Sequence, residues 1–178
     1  MGVTFAMVVG IGLAGLLLAR KVFGQSASVT AVLNSLAVKL SKAQMINAAI
    51  IAEECANAGL PDRIAAAAIV NAWAESGLDA NVLGDSGHSV GLFQLHDKGG
   101  GHGLTVEYRR DPRNNVKTIL QREVLKPRGN VLRQRAAEGA GVGELAAIFS
   151  RDIERPKDKQ GNMDKRKTMA EKWFPTMA

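Results

Sequence analysis

From Ser41 to Trp173 the chain reads as a series of helices, because its apolar runs are bounded by helix caps and glycines and show little sustained alternation. Ser41 and Gln44 have the spacing of a capping box, which predicts a helix start there and an end at Gly59, ahead of Pro61. A second helix is predicted from Pro61-Asp62 through a run of alanines to Ser76, with Gly77 as its stop. From Ile64 to Glu75 this helix is apolar on nearly every face, the pattern of a central helix surrounded by others. A glycine-rich interval follows from Gly77 to Gly103, in which Ser89 to His96 alternates enough to permit a short β-hairpin. Asp111 and Pro112 form an N-cap and first-turn pair that opens a helix to about Lys126. Further helices are predicted over 131–138, 142–153 and 163–173. The fold class is therefore mainly α, with a short hairpin or loop region.

The segment before this domain follows another pattern. Met1 to Ala19 carries no charged side chain, and Val3 to Ala19 is apolar apart from Thr4 and three glycines. About 20 helical residues cross the roughly 30 Å hydrocarbon layer of a bilayer. Val22 and Phe23 extend the run past Arg20 and Lys21, so residues 1–24 are read as a transmembrane helix with the lipid bilayer as partner. Two other readings stay open. A signal peptide has a passable cleavage site at Val22-Phe23-Gly24, but its cations normally precede the apolar region. A buried helix at a free terminus needs a large partner to cover it. Residues 25–40 are a linker or leading helix, small and polar from Gln25 to Thr30, and 41–178 form the folded domain. By the positive-inside rule Arg20 and Lys21 keep that domain on the cytoplasmic side, away from any external substrate. A membrane belonging to a virus particle, or a topology set by other virion or membrane proteins, removes the conflict.

Composition changes the picture in three respects. The chain of 178 residues suits one domain with a real core, and 46% hydrophobic against 4% aromatic residues points to closely packed helices rather than disorder. Cys55 is the single cysteine, so no disulfide forms within the chain and its role is packing. The net charge of +6 favours polyanionic surroundings such as cell wall, anionic lipid or nucleic acid. Nine cations lie between Arg109 and Arg135, against Asp111 and Glu123. They form a solvated helical face or a contact for anionic polymers, and Arg109, Arg110, Arg113, Arg128, Arg133 and Arg135 are the candidates to meet phosphates. Apart from Tyr108 there are no interleaved aromatics and no DNA-binding module, so nucleic acid is not the expected partner.

Glu75 breaks the local rules. A carboxylate is disfavoured in the last turn of a helix, where free carbonyls carry partial negative charge, and Glu75 follows Trp73 and Ala74 on a helix with little polar surface. Both effects favour the protonated form that a general acid needs. The plain alternative is an exposed glutamate at a helix end.

Glu75-Ser76-Gly77-Leu78, followed by the run from Gly84 through Asp85, Gly87, Ser89, Gly91 and Leu92 to Gln94, resembles the lysozyme-like family, and within it the phage tail lysozymes and soluble lytic transglycosylases. Asp111-Pro112-Arg113-Asn114-Asn115-Val116 is similar to the family's D-P-x-x-N-I helix start, and Ile153-Glu154-Arg155-Pro156 to the E-R-P segment near the end of phage tail lysozyme domains. The resemblance covers about Ala43 to Trp173. It implies a lysozyme-like helical fold that cleaves the β-1,4 link between N-acetylmuramic acid and N-acetylglucosamine, with peptidoglycan glycan strands as partner and no cofactor.

Under that resemblance Glu75 is the catalytic acid. Asp85 is the nearest candidate for a second carboxylate, with Asp97 behind it, although Asp-Ser-Gly is also ordinary turn chemistry. Ser89, Gln94 and His96 are the candidate substrate-binding residues, and Gly87 and Gly91 let the backbone come close to glycan. His88, His96 and His102 with Asp97 match no common zinc spacing, so no metal is expected. Where transglycosylases carry a tyrosine late in the domain, this chain has Ala146-Ala147-Ile148-Phe149-Ser150, which favours the lysozyme type. The alternatives are an endopeptidase on this fold and an inactive structural or DNA-binding virion protein. The implied setting is a phage particle containing membrane, or otherwise the bacterial inner membrane, with local wall opening during entry or lysis as the task.

Overall fold

The computed structural model describes Leu36 and residues 40–177; the segment read as a membrane helix, 1–24, lies outside them. Seven α-helices and one small antiparallel sheet make up the described domain. None of the described helices is long and apolar enough to cross a membrane.

The first two helices follow their caps. Helix α1, Lys42–Asn57, has both hydrogen bonds of the Ser41/Gln44 capping box, and Gly59 continues past its end at φ 70°. Helix α2, Asp62–Ser76, closes on Gly77 in the left-handed conformation, φ 64° and ψ 24°. Every residue of α2 from Ile64 to Ala72 is buried. The all-round apolar pattern has the expected cause: α2 packs against α1 and against two later helices, α6 (Val142–Ile148) and α7 (Lys159–Trp173). Leu36 is fully buried in the same core.

Three two-residue strands follow, β1 (Leu83–Gly84), β2 (Ser89–Val90) and β3 (Leu95–His96), in the order β1-β2-β3. The expected hairpin is the β2-β3 pair, with Ser89 opposite His96 and Val90 opposite Leu95. The strand β1 is added to it through Leu83 opposite Val90. Two residues carry no alternation to read, so only the pairing reveals that strand.

The second half departs from the expected helix boundaries in ways that backbone chemistry explains. A short helix α3, Val106–Arg110, capped by the Thr105 hydroxyl, precedes α4, Pro112–Ile119, which Asp111 caps as expected. Instead of continuing to Lys126 as one α-helix, α4 widens into a π-turn over Leu120–Val124, and Lys126 is extended ahead of Pro127, as a residue before proline prefers. After α5 (Asn130–Ala137), the predicted helix 142–153 likewise divides into α6 and a π-turn, Phe149–Glu154, ended by Arg155 at φ 59°. Helix α7 begins four residues before Met163, because the Asp158 carboxylate caps the Gly161 amide of a polar first turn that shows no apolar period.

Candidate active site at the end of the central helix

The last turn of α2 is held from two directions. The Ser76 hydroxyl donates to Ala72 O or to Leu92 O, each at 3.0 Å, the second joining the helix end to the loop between β2 and β3. From α1, the Gln44 amide donates to Gly77 O at 3.0 Å and the Asn47 amide to Leu78 O at 2.8 Å. Glu75 is thus carried on a braced helix end, with 27% of its side chain exposed.

Arg166 of α7 organises the groups behind Glu75. Its Nη2 lies 2.9 Å from Glu75 Oε1 and 3.5 Å from Glu154 Oε2, while Nε donates to Asn71 Oδ1 at 3.1 Å. Asn71, one turn before Glu75 on α2, is itself fixed by donating to Ala67 O and Ala146 O. The side chains of Arg166 and Glu154 are each 7% exposed, and Glu154 Oε1 is buried with no hydrogen-bond partner. Burial first, then the neighbouring Glu75 carboxylate, pushes the Glu154 carboxyl up to about 8 against the opposing pull of Arg166.

The sequence expectation for Glu75 needs correction here. Burial and the helix end were to keep that side chain protonated, yet Glu75 faces a guanidinium, and the deeply buried acid of the site is Glu154. Two carboxyls share one cation, and the one that burial raises is Glu154. Asn71 had a readable signal, as the polar residue in an alanine run one turn before Glu75. Arg166 had none, being one of several cations on a polar helix.

Glu154 also gives stability a pH dependence. Its folded carboxyl holds the proton more tightly than the ordinary value of 4.5, so the folded state binds the extra proton between that value and about 8. Its stabilising contribution is complete below the lower value and is lost as pH rises through the upper one. The expected result is a melting temperature that declines from about pH 5 to about pH 8, a slope that Glu154→Gln flattens; calorimetry across that range checks it.

The hairpin carries the remaining candidates. Asp85 and Ser86 both have positive φ, 48° and 57°, and the exposed Asp85 carboxylate accepts from the Ser89 hydroxyl at 2.7 Å. Ser89 is 4% exposed, so this hydroxyl serves the turn. The Gln94 amide donates to Val82 O and Gly91 O, closing the loop on itself. His96 stacks on His88 with ring centroids 5.8 Å apart, and its Nδ1 accepts from the Lys98 amide. Asp97 bonds His88 Nδ1 at 2.7 Å, and that contact holds its carboxyl below the usual range. Beneath the hairpin, buried Asn115 of α4 accepts from the Phe93 amide and donates to Val90 O and Arg109 O. Gly91, at φ 82°, is required there, because a Cβ would lie 2.4 Å from the Asn115 amide nitrogen. These contacts join Asp85, Ser89, Gln94 and His96 in one unit, which Ser76 ties to the helix end that bears Glu75.

Comparison with family models decides the class: residues 46–177 match the model for phage tail lysozyme. The chain belongs to that family. No curated protein and no solved structure matches it. The match contains the Glu75 helix, the hairpin, Glu154 and Arg166, and it gives the domain a lysozyme-like, peptidoglycan-degrading role of the glycosidase type.

Other groups of this phage tail lysozyme are taken up by structure. Among the described residues no group of three or more His, Cys, Asp or Glu side chains is disposed to hold a metal ion. Cys55 is fully buried, which pushes its thiol up to about 12 and leaves it a packing residue. Five of the six arginines considered for phosphate contact bond within the domain. Arg109 donates to His88 O and Leu95 O, Arg113 to Glu53 and Glu54, Arg128 to Glu123, Arg133 to Val124 O, and Arg135 to Glu138 and Glu144. A surface cavity of about 470 Å³ beside Val131, Ile148 and Met163 shares no lining residue with the Glu75 site.

Proposed function

We propose that this phage tail lysozyme cleaves the β-1,4 bond between N-acetylmuramic acid and N-acetylglucosamine, with Glu75 as the general acid. The observation that carries this reading is the Glu75–Arg166–Glu154 arrangement: a partly exposed carboxyl backed by a buried one, with a single guanidinium between them. The buried Glu154 carboxyl, pushed up to about 8, holds a proton near neutrality beside Glu75, and a proton on the leaving oxygen is what glycosidic cleavage requires.

Asp85 is the candidate second carboxylate, stabilising positive charge at the anomeric carbon or orienting water, with Ser89 fixing its direction through the 2.7 Å bond. Gln94 shapes the loop that meets glycan, because its amide hydrogens hold Val82 O and Gly91 O. His96, with 40% of its side chain exposed, is the hairpin's candidate sugar contact. Residues 1–24 anchor the enzyme in a bilayer, and a phage particle containing membrane is the setting in which that anchor and a wall-opening activity are compatible. The internal bonding of five arginines argues against the DNA-binding alternative.

Mass spectrometry of the fragments released from peptidoglycan by the purified protein tests the reaction. Muropeptides with reducing ends are expected. Anhydro ends would reassign the enzyme as a transglycosylase using the same acid, and free stem peptides with intact glycan would overturn the glycosidase reading.

A further inference from the structure

Glu154 lies 79 positions after Glu75 in the chain, yet both carboxyls meet Nη2 of Arg166, at 2.9 Å and 3.5 Å. The arrangement is asymmetric. Glu75 has 27% of its side chain in solvent and Glu154 only 7%, with Oε1 of Glu154 unpartnered in the interior. A structural ion pair has no use for a second buried carboxylate, because burying an uncompensated charge costs several kcal/mol. A protonated Glu154 removes that cost and turns its carboxyl into a donor that Glu75 can accept.

We infer that Glu154 is a positioning residue for the reaction: it and Glu75 share one proton over the Arg166 guanidinium, and Glu154 keeps the outer carboxyl loaded for transfer. This rests on the reading of Glu75 as the acid. In each turnover the proton leaves through Glu75, the member exposed to substrate, while the interior carboxyl and the guanidinium hold the charge that remains. Uptake of one proton from water, directly or from the product-forming step, restores the pair. Glu154 touches no substrate and acts only through its partner.

The charged groups that act on Glu154 are Glu75 and Arg166. Glu75 comes from α2 and Arg166 from α7, with neutral Asn71 behind them. Charged residues on the same and neighbouring segments pair elsewhere: Arg151 with Asp152 at 2.6 Å, Arg155 and Arg128 with Glu123 at 3.6 Å and 2.8 Å, and Glu144 with Arg135 at 2.7 Å. No other cation is bonded to the pair among the described residues.

Glu154→Gln tests the inference, since it preserves shape and lets Arg166 serve Glu75 alone as a simple ion pair. The expected result is a descending limb of the kcat/KM–pH profile that moves to lower pH by about one unit or more. A merely structural Glu154 would alter stability or the overall rate and leave the profile's position unchanged, and that result overturns the proposal. Carboxyl-labelled NMR of the wild-type protein gives a second measurement independent of folding of the variant. One glutamate proton is expected to persist beyond about pH 6. A wild-type spectrum with every glutamate ionised by about pH 6 overturns the shared proton. Assaying Glu75→Gln alongside separates the two readings: an active Glu75→Gln defeats the acid assignment, whereas an inactive one with an unshifted Glu154→Gln profile defeats this inference alone.

Discussion

Glu75→Gln is expected to lower peptidoglycan clearing by about 10²–10⁴-fold, the range that a positioned general acid contributes. The amide keeps the shape of the side chain and its contact with Arg166, but it has no proton to give at neutral pH. The fold should survive. With Glu75 neutral, Arg166 is left with Glu154 as a one-to-one buried pair, and the braces from Ser76, Gln44 and Asn47 to the helix end are untouched. Turbidity loss of a peptidoglycan suspension, read together with a melting curve, measures both halves of the expectation. Clearing at the wild-type rate would sink the assignment of Glu75 as the acid.

Arg166→Met is expected to destabilise the domain by about 3–5 kcal/mol, the cost of breaking a buried charged network by removing one partner. Methionine fills much of the same volume, so the loss is electrostatic rather than a cavity effect. Glu75 and Glu154 would then face each other without a cation, and Asn71 Oδ1 would lose its donor. Thermal or urea unfolding reads the change directly. The loss should be smaller at about pH 4 than at about pH 8, because acid removes negative charge that the guanidinium would otherwise balance. An equal loss at both pH values would show that the guanidinium acts through packing.

What could be read from the chain follows from the range of the interactions involved. The boundaries of α1 and α2 were legible because Ser41, Gln44 and Gly77 act within a few residues of where they stand. The burial of α2 was legible from its apolar faces. Helix α4 began where Asp111 and Pro112 said it would, but its passage into a π-turn depends on packing that periodicity does not encode. Glu75 was legible as an anomaly; its environment was not, because the residue that sets it lies 91 positions away. Glu154 was visible only inside the E-R-P resemblance, with no sign of which way its carboxyl faces. The basic run from Arg109 to Arg135 was legible as a solvated face, of whose nine cations only Arg109 is buried, but not as a set of internal bonds: most of its guanidinium groups also meet carbonyls and carboxylates of the domain itself.

The π-turn at Phe149–Glu154 makes residue count a chemical variable. A wider turn accommodates one more residue than α-geometry would, and in an α-helix each residue advances the direction of a side chain by about 100°. Shortening this stretch by one position would swing the sixth side chain of the segment away from the guanidinium without altering any neighbouring identity. Variation in length between Ile148 and Arg155 is therefore a mutational route to separating Glu154 from Arg166 that leaves every recognisable motif in place.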